Sequence, residues 1–210
     1  MIQQLMTPKS NLITLSESSN CLDTVNLLEK HHLRCAPVVD DSQTIFRGNI
    51  YRYHIYQYHF HHPDEDLSQI PVTRFLKNTT KIVRSHHSLL ELCFAIRDLP
   101  YVAVLNREQA FLGVIYHQRL LEFFDEAWNM KDVGYILKVE TSTQKGELAK
   151  VARLVNRHCN IISVMTIDQT KDNPSPFILF QLNQATSILT LQKLLNDLRR
   201  RHYSVEYREL

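Results

Sequence analysis

A chain of 210 residues, 44% hydrophobic and 22% charged, has the make-up of a globular protein with length for one large domain or two small ones. Its 24 Lys and Arg against 22 Asp and Glu leave a formal charge of only +2, interspersed along the chain, which argues against a nucleic-acid partner. No apolar run approaches the roughly 18 to 20 residues of a membrane span, and the start Met1-Ile2-Gln3-Gln4-Leu5 lacks the features of a signal peptide, so the expectation is a cytoplasmic protein with no membrane partner.

The segment Asn11-Leu12-Ile13-Thr14-Leu15 reads as a short extended piece. Ser18 and Ser19 are candidate N-caps for a helix carrying Cys21, Val25 and Leu28 at the i, i+4, i+7 spacing of a buried stripe. From Arg34 to Tyr51 follow an apolar strand, a polar turn and a second strand broken by Gly48. The aromatic run Tyr51 to Phe60 continues as a helix, and His62-Pro63-Asp64-Glu65-Asp66 marks a boundary.

The same order then returns. Phe75-Leu76-Lys77-Asn78 echoes Leu5-Met6-Thr7-Pro8, and Lys81-Ile82-Val83 echoes the first strand. Leu89, Leu92, Cys93 and Ile96 mark a helix, and a strand pair around Gly113 leads to a helix from about Gln118 to Asn129. An internal repeat fixes architecture before any residue is given a role, and here it implies two copies of one unit with a site where they meet.

From Gly134 the pattern changes. Tyr135 to Glu140 alternates like a half-buried strand, and Gly146-Glu147-Leu148 opens a helix. Strands at Ile161 to Ile167 and Phe177 to Leu182, joined by Lys171-Asp172-Asn173-Pro174, precede a helix with Leu191, Leu194, Leu195 and Leu198 and a last strand at Ser204 to Tyr207. This is the split βαβ, ferredoxin-like order. The division is therefore residues 1–66 and 67–132 for the two copies and 133–210 for the third unit.

The doubled unit, through Ala36-Pro37-Val38-Val39-Asp40, Gly48-Asn49-Ile50-Tyr51 and Gly113-Val114-Ile115-Tyr116, resembles a tandem pair of CBS domains. The C-terminal unit resembles an ACT domain, giving an α+β chain of a CBS pair followed by a ferredoxin-like domain. Pro8-Lys9-Ser10-Asn11-Leu12, Leu33-Arg34-Cys35-Ala36-Pro37 and Asn106 to Gly113 are similar to bacterial CBS-domain proteins that bind cyclic di-AMP; the acetoin-utilisation regulators share the CBS-CBS-ACT order. The resemblance implies an adenine nucleotide between the copies, contacting Lys9, Asn11, Leu12, Arg34, Cys35, Ala36, Tyr51, Lys81, Tyr116, His117 and Arg119. It also implies an amino-acid site at Gly146, Glu147 and Leu148. Where nucleotide-binding CBS domains place Thr or Ser and then Asp for the ribose, this chain has Tyr51 and His54, and Tyr116 and Arg119, so neither position supplies a carboxylate.

The chemistry of such a ligand asks for flat surfaces and cations. Tyr51 and Tyr116 offer the first, and Lys9, Arg34, Lys81 and Arg119 the second; the guanidinium fork suits phosphate. Histidine pairs such as His31-His32 and His86-His87 point apart on a helix and do not make a metal site. The run Tyr51, Tyr53, Tyr56, Tyr58 suits a stacking platform or, the preferred reading, a packing face. Cys21, Cys35, Cys93 and Cys159 form no Cys-x-x-Cys pair and read as structural thiols. No nucleophile elbow or phosphate-binding glycine loop is present, so the expectation is a non-enzymatic sensor without cofactor or metal. It would be a homodimer that signals to a protein partner, such as a stringent-response synthetase or a metabolic enzyme. The alternative is an amino-acid sensor acting through paired ACT domains on a CBS scaffold.

Overall fold

A computed structural model describes residues 1–128, 132–142, 144–168 and 175–210. Asn129, Thr143 and the turn Lys171-Asp172-Asn173-Pro174 lie outside the described residues. The chain forms two compact units, Met1–Glu122 and Phe123–Leu210.

In the first unit α1 (Ile2–Leu5), β1 (Thr7–Pro8) and a 3-10 turn at Lys9–Asn11 lead to β2 (Leu15–Ser16), α2 (Cys21–Lys30), β3 (Cys35–Val39), β4 (Phe46–Tyr51) and α3 (Arg52–His61). After two 3-10 turns the order repeats as β5 (Ile82–Arg84), α4 (Leu89–Ile96), β6 (Tyr101–Leu105), β7 (Phe111–Tyr116) and α5 (His117–Trp128), whose residues from Phe123 on belong to the second unit. The repeat extends to backbone detail: β2 runs parallel to β3 as β5 does to β6, and the hairpin turns of both copies hold a glutamine in the left-handed region, Gln43 and Gln109.

Local chemistry starts the helices. Asn20, rather than Ser18 or Ser19, caps α2, its amide oxygen accepting from the Asp23 N–H at 2.8 Å; the Ser16 and Ser18 hydroxyls are instead committed to the Asp41 carboxylate. Ser88 and Glu91 form a reciprocal capping box on α4. The expected extended piece at Asn11 to Leu15 is strand only from Leu15, because the preceding residues close a 3-10 turn through Leu12 N–H to Lys9 C=O. Cys21, Val25 and Leu28 are buried with Val38, Ile50 and Ile55 in the core of the first copy.

The second unit contains β8 (Val133–Glu140), α6 (Glu147–Asn156), β9 (Ile161–Ile167), β10 (Phe177–Asn183), α7 (Ile188–Arg200) and β11 (Val205–Glu209). The antiparallel sheet order β11-β8-β10-β9 is that of the ferredoxin-like fold, as the sequence order implies. Val151, Val155, Leu191, Leu194 and Leu198 pack onto Leu137, Val139, Phe180 and Leu182. Among the described residues no helix is long and apolar enough to cross a membrane.

Candidate functional site

The two copies exchange their leading segments. β1 pairs not with its own copy but with β7, Thr7 opposite Val114 and Pro8 opposite Gly113. Reciprocally, Lys77 and Asn49 on β4 exchange two backbone hydrogen bonds of 2.8 Å. The glycines that identify the repeat make these crossings possible. A Cβ on Gly113 would stand 2.1 Å from the Thr7 carbonyl oxygen, and one on Gly48 would stand 3.0 Å from that of Lys77. The segment after β1, with Lys9 and Asn11, is thereby laid against β7, whose last residue is Tyr116. Asn78 donates to the Tyr51 hydroxyl at 2.9 Å.

Between the copies lies a shared interior. Phe46 and Phe111 stack at 5.7 Å, and the Phe111 N–H donates to Thr44 C=O at 2.7 Å. Val39, Ala103, Leu105 and Val114 complete its apolar part. At one end it turns polar, where Cys35, Tyr51, Tyr101 and Tyr116 converge. Tyr101 and Tyr116 meet edge to face at 5.9 Å. Burial pushes the Cys35 thiol up to about 11, against smaller lowering by the Tyr101 hydroxyl and the Arg34 charge. Burial likewise raises Tyr101 far above the ordinary phenol value, with Cys35, Tyr51 and Tyr116 adding to it. The cluster is therefore neutral around pH 7, a set of hydroxyl and thiol groups rather than charges. Tyr101 is 3% exposed, and its hydroxyl has no hydrogen bond of ordinary geometry although the thiol is close enough to affect its titration.

The remaining candidate residues are placed as follows. Lys9 Nζ donates to Gln43 C=O at 2.9 Å, and Asn11 accepts from Ser10 at 3.2 Å. Leu12 packs half-buried on the shared interior, whereas Ala36 is buried in the core of the first copy. Arg34 and Lys81 are exposed; Tyr116 is 40% exposed. The His117 N–H donates to Pro100 C=O at 2.9 Å, and Arg119 pairs with Glu122 at 3.5 Å. Sequence reasoning overlooked Tyr101 and Asn78. The repeat could have found Tyr101, since it faces Tyr116 in the register in which Cys35 faces Tyr51.

In the second unit Gly146, at φ +93°, precedes α6, and a Cβ there would meet nothing within 4 Å. Gly146, Glu147 and Leu148 line a pocket of about 340 Å³ with Ser142, Phe177 and Ile178. Glu147 is already engaged, by Lys150 at 2.9 Å and the Tyr203 hydroxyl at 3.3 Å. Among the described residues no group of three or more His, Cys, Asp or Glu stands ready to hold a metal.

Residues 2–59 match the CBS domain family. No curated protein matches the chain. Among solved structures, a CBS domain protein from Streptococcus pneumoniae TIGR4 aligns at 23% identity and a TM-score of 0.54, covering 59% of this chain and 86% of that one. CbpB in complex with c-di-AMP aligns at 17% identity and a TM-score of 0.53, covering 59% and 83%. A CBS domain pair/ACT domain protein from Thermotoga maritima aligns at 17% identity and a TM-score of 0.50, covering 60% and 97%. At these identities the likeness is one of fold: the chain carries a CBS domain at residues 2–59, in a first unit with CBS-pair architecture, and an ACT-like unit follows.

Proposed function

We propose that the protein is a non-enzymatic regulator that binds an adenine nucleotide, cyclic di-AMP in the first instance, between its two CBS copies. The observation that carries this reading is the polar end of the shared interior, where Cys35 and Tyr51 of one copy meet Tyr101 and Tyr116 of the other. A ligand touching both copies would favour one arrangement of them and so shift the population that a partner recognises. Tyr51 and Tyr116 would stack on bases, and Arg34, Lys81 and Arg119 would serve the phosphates, with Lys9, Asn11, Leu12 and His117 forming the walls; Ala36, expected at the ligand, is buried in the core of the first copy instead. The fold shared with CbpB in its c-di-AMP complex supports the choice of first ligand.

The exposed large apolar side chains Tyr53 (65%) and Phe60 (80%) on α3 and Leu90 (65%) and Phe94 (72%) on α4 support a homodimer, which would present the signal to a protein partner such as a synthetase or metabolic enzyme in the cytoplasm. A second reading, an amino-acid sensor, is favoured by the pocket at Gly146, Glu147 and Leu148.

Calorimetry against cyclic di-AMP, AMP, ATP and the amino acids separates the two. Removing a charge-assisted hydrogen bond in Arg34→Ala or Arg119→Ala should cost about 1.5–3 kcal/mol, roughly ten- to hundredfold in affinity. Amino-acid binding with no nucleotide binding at micromolar concentration would reject the first reading in favour of the second.

A further inference from the structure

One flank of α3 lines a pocket of about 270 Å³ that holds none of the residues assigned to the nucleotide above, although His54 stands where nucleotide-binding CBS domains place their ribose carboxylate. His54, Gln57, Tyr58, His61 and His62 face it from the helix and its C-terminal cap, and Phe75 and Lys77 face it from the segment entering the second copy. The spacing is that of one helix face, each turn contributing a polar or aromatic group. The walls are held in place. Tyr58 packs on Phe75 at 5.1 Å and on His62 at 4.5 Å, and the Arg74 guanidinium covers its ring at 4.5 Å. Lys77 is anchored through its backbone to Asn49.

The charge balance is basic. Among the described residues, the charged groups tied to the pocket's side chains are Lys77, Arg74 and Glu65. The Glu65 carboxylate is already shared, taking the Tyr58 hydroxyl at 2.5 Å, His62 at 3.7 Å and Arg74 at 3.8 Å. Burial and then the Lys77 charge hold His54 below its ordinary range. The repeat supplies an internal comparison. At the 65-residue spacing set by Gly48 and Gly113, Gln57 and His61 correspond to Glu122 and Glu126 and His54 to Arg119, and the leading segments, 70 residues apart, match Lys77 to Thr7 through their pairing with Asn49 and Val114. The basic lining therefore comes from the sequence of this copy and not from the fold both copies share.

We propose that this pocket is an oxyanion site for a phosphate-type group, with Lys77 as the cation and His54, His61 and His62 as hydrogen-bond donors. It does not rest on the nucleotide reading of the shared interior. Because imidazole donates from both nitrogens only when protonated, affinity rises as pH falls through the histidine range. The test is a titration of the full chain with sulfate, whose charge is constant across that range, read by histidine side-chain NMR with assignments from single substitutions. Saturable shifts confined to His54, His61 and His62 are expected, with affinity at about pH 6 roughly tenfold or more above that at about pH 8. Lys77→Gln and His61→Gln, both at exposed positions, should each weaken binding about fivefold or more while leaving the circular dichroism unchanged. Equal shifts at His31, His32, His86 and His87, or affinity unchanged in both variants, would overturn the proposal. Inorganic phosphate and glycerol phosphate then distinguish sources: tighter monoester binding assigns the site to a phosphorylated small molecule, and equal binding assigns it to the free ion.

Discussion

Gly113→Ala is the sharpest probe of the strand exchange. The added methyl would sit 2.1 Å from the Thr7 carbonyl oxygen and 3.0 Å from Pro8 Cα, both backbone atoms that cannot swing aside as a side chain would. Relief requires β1 to lift from β7 and give up the pairing of Thr7 with Val114. Overpacking of this kind costs about 1–3 kcal/mol, and loss of the short strand pair brings the sum to about 3 kcal/mol. For a unit of this size that corresponds to a fall in Tm of roughly 10 °C. Gly146→Ala is the matched control, because its Cβ meets nothing and only the left-handed backbone opposes it, at about 1 kcal/mol. Thermal melts should rank the two in that order, and hydrogen exchange at Thr7 to Leu12 should accelerate only in Gly113→Ala. A Gly113→Ala protein that melts within about 2 °C of the parent, with those amides still protected, would refute the crossing as described.

Other consequences can be checked more briefly. Asp40 holds the β3–β4 turn by accepting from Ser42, Ile45 and Thr44, with the Ser42 hydroxyl the largest influence, and its pKa is lowered to about 2. A carboxyl lowered on folding stabilises above its unfolded pKa and loses that contribution as pH falls. The acid sensitivity of the first unit between about pH 4 and pH 2 should therefore flatten in Asp40→Asn, as acid titration by circular dichroism would reveal. Ser88→Ala removes the capping box of α4 and should cost about 1 kcal/mol in urea melts, with Ser88→Thr retaining most of it. Tyr101→Phe removes a buried hydroxyl without an ordinary hydrogen-bond partner; in the ligand-free protein it should change stability by less than about 1 kcal/mol, and a larger loss would mean that the thiol contact is a strong bond.

The repeat and the ferredoxin-like unit were legible in the sequence because they rest on local pattern. Gly48 and Gly113, the strand alternation and the helical stripe at Cys21, Val25 and Leu28 need only neighbours to be read. The strand exchange was not legible. Thr7 and Pro8 meet Val114 and Gly113 across almost the whole unit, and nothing near Thr7 announces the partner. A shorter separation hid the basic pocket, where Phe75 and Lys77 complete a face begun on α3. The cap of α2 was misplaced because an acceptor well outside the helix, Asp41, takes the Ser16 and Ser18 hydroxyls. Cys35 and Tyr51 were singled out as cleft residues, while Ala36 beside them packs into the first copy.

The crossing at the glycines also orders events on the ribosome. When the first copy has emerged, the edge of β4 still awaits Lys77, and β1 has no strand to join until β7 is made. Of these strands β1 is thus made before the others and among the last to find its place, a loop closure of high contact order. A chain cut between the copies would yield halves that each lack a pairing segment the other carries, and the two fragments should complement one another when mixed.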